Sequence, residues 1–357
     1  MTQHIKHIFE HFDSQSPMLS FSELVSGHIN DTYLIKTAEK PDYVLQRINH
    51  RVFKDVPGLV NNKVLISKHL RKKSKGKTRR DLQRSILQFV PLKGQNIYYY
   101  KEGEHYWNMM VYIENSRTFD VVTNPKIAFE GGKLFGDFLN QTQDFDSSRL
   151  IDVIPRFHDM AFRFEQFEES LQDAAPKRLE ESKLEIDKIW ALKEEMHIIQ
   201  KLKESGAIRT RVTHNDTKIS NALFDLDNKG LCVIDTDTVM PGIVHYDFGD
   251  AIRTICNTAA EDEQDLTKVR FNYDFYEAYQ AGFLGEMNQA LTPIERKYLP
   301  LAAKTMTFIM AIRFLTDFLN GDIYYKTAYA NHNLVRSKNQ LKLIDSMTDA
   351  FAQALNG

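Results

Sequence analysis

Residues 221–235, NALFDLDNKGLCVID, read as a β-hairpin. Ala222-Leu223-Phe224 and Leu231-Cys232-Val233-Ile234 are short apolar runs, and the polar segment Asp225 to Gly230 between them carries turn chemistry. With the turn centred on Asn228, Asn221 and Asp235 fall opposite each other across the pair. Asp216 lies five residues upstream of Asn221. That register collects three oxygen-bearing side chains: Asp216 on the preceding loop, Asn221 at the hairpin entrance and Asp235 at its exit. Asn and Asp offer the hard oxygen ligands that suit Mg²⁺, which takes one or two protein oxygens and leaves its other positions to phosphate and water. Asp216 is then free to act as a base. A lone Asp is more often a turn residue or a helix cap; the ordered set, with a buried strand inside it, is what points to chemistry.

The rest of the chain bounds the reading. At 357 residues it exceeds one ordinary core, so two lobes are expected. A net charge of −2 gives no global pull toward nucleic acid. Cys232 and Cys256 are the only cysteines, too few for a disulfide framework or a thiolate metal site, and a reducing cytosol fits. Met1 to Glu10 lacks the apolar core of a signal peptide, and no stretch approaches the roughly 18 uninterrupted apolar residues of a membrane span. Neither a nucleic-acid nor a membrane partner is therefore expected, and oligomeric state is left open. Lys68 to Arg80 holds eight Lys or Arg residues, but without aromatic stacking residues it reads as a solvated loop after a helix. His28, His158, His245 and His332 lack metal-ligand spacing, so hydrogen-bonded structural roles are expected.

Periodicity divides the chain unequally. Residues 1–113 read as strands with one helix, 114–117 as a polar hinge, and 118–357 as mainly helical. Phe21–Glu23, Thr32–Lys36, Tyr43–Arg47, Ile97–Lys101 and Tyr106–Ile113 are the predicted strands, with Phe89-Val90-Pro91 continuing the pattern, and Leu59–Leu70 is the predicted helix. Asn124 caps a helix with Pro125 at its first position, inside which Gly131-Gly132 permits close packing. Long helices are predicted near 178–204, 294–319 and 336–355.

His214-Asn215-Asp216, then four residues and Asn221, resembles the catalytic loop of the protein-kinase-like phosphotransferases. Asp235 directly after Val233-Ile234 matches their second metal ligand, and Thr236-Asp237 in place of Phe-Gly points to the small-molecule branch. Four runs narrow this: Gly27 to Tyr33, Val212 to Lys218, Ile234 to Arg253, and Arg313-Phe314-Leu315 with Gly321 to Tyr324 and Asn333 to Arg336. On these the chain resembles the aminoglycoside phosphotransferase/choline kinase-like superfamily and, within it, the N-acetylhexosamine 1-kinases. The resemblance implies an α+β, protein-kinase-like bilobal fold with a small β-rich N-lobe that binds nucleotide and a larger, mainly helical C-lobe. It implies ATP- and Mg²⁺-dependent phosphorylation of the anomeric hydroxyl of an N-acetylhexosamine or related disaccharide. Asp216 would be the base, and Asn221 and Asp235 would hold the metal. Gly27 would cover phosphate, and Tyr112 to Glu114 would offer backbone hydrogen bonds to adenine. His214 would brace the loop by a backbone contact, while Arg313 and Tyr324 would contact the sugar.

Two departures keep other readings in play. Gln46 stands where kinases carry the phosphate-binding lysine, and Val64 where its partner glutamate belongs, so both members of that ion pair are absent together and Gln46 is expected to serve as a neutral phosphate donor. This motivates a nucleotide-binding pseudokinase as an alternative, against which the intact metal ligands stand. The other alternative keeps the chemistry and changes the acceptor to an amino alcohol or aminoglycoside. Arg313, a charge inside the apolar run Phe308 to Leu315, needs a partner, and Asp317 four residues on is the structural candidate. Arg253, in the run after Asp250, could face the same pocket as Arg313, but capping or pairing with Asp250 is the expected role.

Overall fold

The structure, a computed structural model, describes residues 2–24, 29–74, 76 and 78–356. Helix α1 (Thr2–Glu10) precedes strands β1 (Met18–Glu23), β2 (Asp31–Thr37) and β3 (Tyr43–Ile48). Helices α2 (Val56–Lys73) and α3 (Arg79–Ser85) follow, then β4 (Tyr100–Glu102) and β5 (His105–Val111). The five strands form one antiparallel sheet in the order β1-β2-β3-β5-β4. Alternation along β3 decides what each face meets. Tyr43 and Leu45 turn under α1, whose Ile5, Ile8 and Phe9 close that side. Val44 and Gln46 face the other way, toward α2 and the rest of the molecule.

The helical part begins at α4 (Pro125–Thr142). Its Asn124 cap accepts from the Ile127 N–H at 3.2 Å, and Pro125 occupies the first turn, as the sequence predicts. It continues through α5 (Met160–Asp173), α6 (Pro176–Glu181), α7 (Lys183–Met196) and α8 (Ile198–Glu204). Strand β6 (Arg211–Thr213), the hairpin β7 (Ala222–Phe224) and β8 (Gly230–Val233), and β9 (Met240–Gly242) come next. The chain ends with α9 (Val244–Ile255), α10 (Tyr273–Met287), α11 (Pro293–Lys297), α12 (Leu299–Leu319) and α13 (His332–Asn356). A Cβ on Gly132 would overlap the Tyr279 carbonyl of α10, and one on Gly282 the Phe129 carbonyl of α4. The two helices therefore touch backbone to backbone, which is what the predicted Gly131-Gly132 packing amounts to. Helix α12 is long and apolar enough to cross a membrane by length and composition, but 72% of that window is buried inside the fold, where it packs on α9, α13 and α5.

Several predicted elements change at their ends. The helix predicted near 178–204 is three helices, broken at Ser182 and His197. Both residues turn a side chain back onto a carbonyl four residues earlier: Ser182 Oγ to Arg178 at 2.7 Å and His197 Nδ1 to Lys193 at 2.7 Å. The 294–319 helix breaks at Tyr298, because Pro300 has no N–H to continue it. Phe89 makes only an isolated bridge with Met110, and the 97–101 strand contracts to β4. Lys68 to Lys73 is the end of α2 rather than a loop, and Arg79 opens α3; Lys75 and Lys77 lie outside the described residues.

Candidate active site

A cleft of about 400 Å³ lies between the sheet and the helical part, with Val44, Gln46, Lys63 and Tyr112 on one side and Asp216, Asn221 and Asp235 on the other. A larger hollow of about 630 Å³ opens behind Lys63, between α2 and α4. The convergent acidic groups are in the smaller one, and the chemistry belongs there.

The loop carrying Asp216 is held from below by α9. Asp247 accepts the backbone N–H groups of His214 and Asn215, both at 2.7 Å, and Asp250, one turn on, accepts that of Thr217 at 3.0 Å. Burial pushes the Asp247 carboxyl up to about 6, against the pull of His214 and the two N–H donors. Asn215 adopts a left-handed φ of 65°, tolerable for Asn. Its side chain is pinned to Thr213 and to the Thr238 carbonyl. His214 Nε2 lies 2.9 Å from the Ile234 carbonyl, the backbone contact expected of it. Arg253 pairs with Asp250 at 3.0 Å, as expected, and also with Glu261.

The hairpin register differs from the predicted one. Ala222 pairs with Val233, and the Ile234 N–H donates to the Asn221 carbonyl at 2.9 Å, so Asn221 faces Ile234 rather than Asp235. A bulge between Leu223 and Phe224 and the left-handed Asn228 shift the pairing by one residue. Asp235 still reaches the cleft, because its own left-handed backbone (φ 55°) ends the strand and redirects the chain.

The Asn221 amide donates to both the carbonyl and the carboxylate of Asp216 at 2.8 Å, which leaves the Asn221 side-chain oxygen for a ligand. Lys218 Nζ is 3.1 Å from the Asp216 carboxylate. Burial opposes the Lys218 charge, but Asp216, Asp235 and Asp250 outweigh it and raise its pKa. Burial, then the charges of Asp237 and Asp216, push the Asp235 carboxyl up to about 7. Three carboxylates crowded beside one free amide oxygen make an excess of negative charge that a divalent cation would offset, so the residues fit Mg²⁺. Among the described residues no group of three His, Cys, Asp or Glu side chains is placed to hold a metal ion by itself.

On the opposite wall the expectation that a cation is missing needs correction. Lys63 of α2, 3% exposed, donates to Gln46 Oε1 at 3.3 Å and forms an ion pair with Asp237, itself 3% exposed. Asn30 Nδ2 donates to the other Asp237 oxygen at 2.5 Å. The strand lysine and helix glutamate of kinases are indeed absent, but a buried lysine comes from the helix instead. Gln46, its oxygen taken, presents its NH₂ as a donor. Sequence reasoning missed Lys63, Asp237 and Asn30, and the role of Asp247. The signal for Lys63 was the one applied to Arg313: it falls on the same helical face as Val56, Leu59 and Val60.

Gly27 lies outside the described residues. Tyr112 lines the cleft, but its N–H already donates to the Asp42 carbonyl at 2.9 Å, so it can offer adenine only its carbonyl. The Glu114 side chain turns outward and pairs with Lys40. Arg313 does not pair with Asp317. That carboxylate instead accepts the backbone N–H groups of Ile323, Tyr324 and Tyr325 at 2.8–3.0 Å, and the Asn333 amide at 2.8 Å. The Arg313 guanidinium sits among the rings of Phe157, Tyr324 and Tyr325, 5.4 to 5.9 Å from their centres. His245 and His332 are hydrogen-bonded as expected, whereas neither ring nitrogen of buried His158 makes a hydrogen bond, although it lies beside the Asn215 backbone.

A kinase-like sheet over a helical base, with a loop Asp and metal-type oxygens side by side on one wall of the cleft between them, defines a small-molecule phosphotransferase. The chain matches the phosphotransferase enzyme family (APH) over residues 95–283, more than half its length, and belongs to that family. It is similar in fold to a microcompartment-associated aminopropanol kinase (16% identity, TM-score 0.63, 98% of each chain covered). It is also similar to an aminoglycoside phosphotransferase from Alicyclobacillus acidocaldarius (12%, 0.63, 97% of this chain and 96% of that one). A third likeness is to a choline kinase from Streptococcus pneumoniae (15%, 0.56, 97% and 99%).

Proposed function

We propose that this phosphotransferase moves the γ-phosphoryl group of ATP to the anomeric hydroxyl of an N-acetylhexosamine. Phosphoryl transfer needs an aligned hydroxyl and charge neutralisation with little covalent chemistry, so positioning and electrostatics supply most of the acceleration. Asp216, oriented by Asn221 and neighboured by Lys218, receives the acceptor's proton. Asn221 and Asp235 hold Mg²⁺, which when bound neutralises charge on the nucleotide phosphates. The Gln46 amide, steadied by Lys63, donates to phosphate.

The observation that carries the acceptor is Arg313. With Asp317 committed to the turn that displays Tyr324, Arg313 is a guanidinium in an aromatic surround with no carboxylate partner among the described residues. A guanidinium so placed can donate to sugar hydroxyls and an acetamido oxygen, and its charge opposes a quaternary or primary ammonium. An amino-alcohol acceptor is the second reading, favoured by the aminopropanol and choline kinases among the similar structures.

ATP consumption with Mg²⁺ across N-acetylhexosamines, plain hexoses, aminopropanol, choline and an aminoglycoside separates the two, with phosphorus NMR reading the product. An anomeric 1-phosphate is expected. Turnover of amino alcohols alone would discard the reading of Arg313, and no turnover at all would favour a nucleotide-binding pseudokinase.

A further inference from the structure

The groups around Arg313 hold more positive charge than a neutral sugar requires. Arg163, from α5, stands close enough to Arg313 for the two charges to oppose each other. Its Nη1 donates to Gln166 Oε1 at 2.7 Å and its Nη2 to the Phe157 carbonyl at 2.6 Å, but its buried Nε has no acceptor. Arg313 makes only a 3.6 Å contact with Met310 Sδ and the ring contacts already described. Among the described residues neither arginine forms an ion pair, and the nearby carboxylates are engaged elsewhere. Asp159 holds Arg156 and the Phe162 N–H, Glu261 holds Arg253, and Asp317 holds backbone. The Tyr325 hydroxyl, also near both arginines, is buried without a partner. Buried His158, against the Phe157 ring, lies between these groups and the Asn215 backbone. Burial, then the Arg313 charge, lowers the Arg163 pKa to about 10, the sign of a cation lacking its counter-charge.

We propose that Arg163, Arg313 and Tyr325 form a binding site for an anionic substituent, a carboxylate, sulfate or phosphate, carried by the phosphoryl acceptor. This rests on the proposed reading of Arg313 as a contact of the acceptor. The unsatisfied atoms of Arg163 and Tyr325 can donate, a guanidinium donates only, and two guanidinia that repel each other are stabilised by a ligand that brings acceptor oxygens with negative charge. The preferred acceptor is thus an acidic derivative of an N-acetylhexosamine, with the neutral sugar bound more weakly. A cationic acceptor meets like charge.

The test is isothermal titration of the full chain, without ATP, with N-acetylglucosamine, its 6-sulfate, its 6-phosphate and its 3-O-lactyl ether. At least one anionic derivative is expected to bind about tenfold or more tightly than the neutral parent, the scale of one charged hydrogen bond. That preference is expected to disappear in Arg163→Gln and to weaken in Tyr325→Phe. Should Arg163→Gln not fold, Arg163→Lys, which keeps the charge and loses the fork, is expected to lose most of the preference. The site is overturned if the neutral sugar binds as tightly as every derivative, if no derivative binds, or if the preference survives the substitutions. Because binding is read without turnover, a failure of sugar phosphorylation in the ATP assay is a separate result.

Discussion

Lys63→Met removes the cation of the buried Lys63–Asp237 pair while keeping an unbranched side chain in α2. Both members are 3% exposed, and the Met variant leaves the Asp237 carboxylate with the Asn30 amide as its remaining side-chain hydrogen-bond donor. An exposed ion pair would be worth about 0–1 kcal/mol. Breaking a buried one by removing a single partner costs about 3–5 kcal/mol, because a charge is left in low dielectric. Removing both charges in Lys63→Met/Asp237→Asn is expected to restore most of that loss, since what destabilises is the orphaned charge. Denaturant unfolding at pH 7.5 of wild type, both single variants and the double variant closes a thermodynamic cycle for the pair. The same substitution releases Gln46, whose oxygen Lys63 holds at 3.3 Å, so KM for ATP is expected to rise along with the loss of stability. The reasoning is refuted if Lys63→Met lies within about 1 kcal/mol of wild type, or if the double variant is no more stable than the single.

Other substitutions probe other parts of the site. Asp216→Asn is expected to lower turnover at least about a hundredfold, the usual scale for a positioned base, with nucleotide affinity by titration nearly unchanged. Asp247 has its pKa pushed up by burial to about 6 against 3.8, so its folded form takes up a proton between those values before the unfolded chain does. Wild-type stability relative to Asp247→Asn is therefore expected to rise as pH falls from 6 to 4, by up to about 3 kcal/mol, and pH-resolved melting curves check the sign. Gly132→Ala puts a methyl group onto the Tyr279 carbonyl and is expected to cost about 1–3 kcal/mol of stability in the same melts.

The fold was legible where residue chemistry acts locally. Asn124-Pro125 set the start of α4, Gly131-Gly132 announced a backbone contact, and the strand runs of the first half carried their alternation in plain view. What the sequence hid were contacts between distant segments. The hairpin register turned on a bulge that composition does not mark, so Asn221 met Ile234 instead of Asp235. The Arg313–Asp317 pair looked sound from helical spacing, yet three backbone N–H groups at Ile323 to Tyr325 claimed the carboxylate. Lys63 and Asp237 are 174 positions apart, and nothing local to either could have paired them.

That pair bears on whether Gln46 and Val64 signify a lost active site. In protein kinases the strand supplies the cation and the helix the anion of the pair that ties them together. Here the helix supplies the cation, Lys63; the segment after Asp235 supplies the anion, Asp237; and the strand supplies a neutral amide, Gln46, that touches the cation. Two physical consequences follow. Helix α2 cannot swing away from the loop bearing Asp235 without separating two buried charges, so the Asp235 side of the cleft and the helix move as one body. The group that the strand turns into the cleft is a donor without charge, so the positive charge on that side is carried by Lys63. Loss of the kinase lysine is therefore no argument for a degenerate site when a buried lysine already lines the same cleft beside Asp235 and Asp237. If Gln46→Lys were made, its new ammonium would face Lys63 at hydrogen-bonding range. The expected outcome is lower stability and weaker ATP binding rather than a gain toward the kinase pattern, and tighter ATP binding in that variant would show that the inverted arrangement is not what positions the nucleotide.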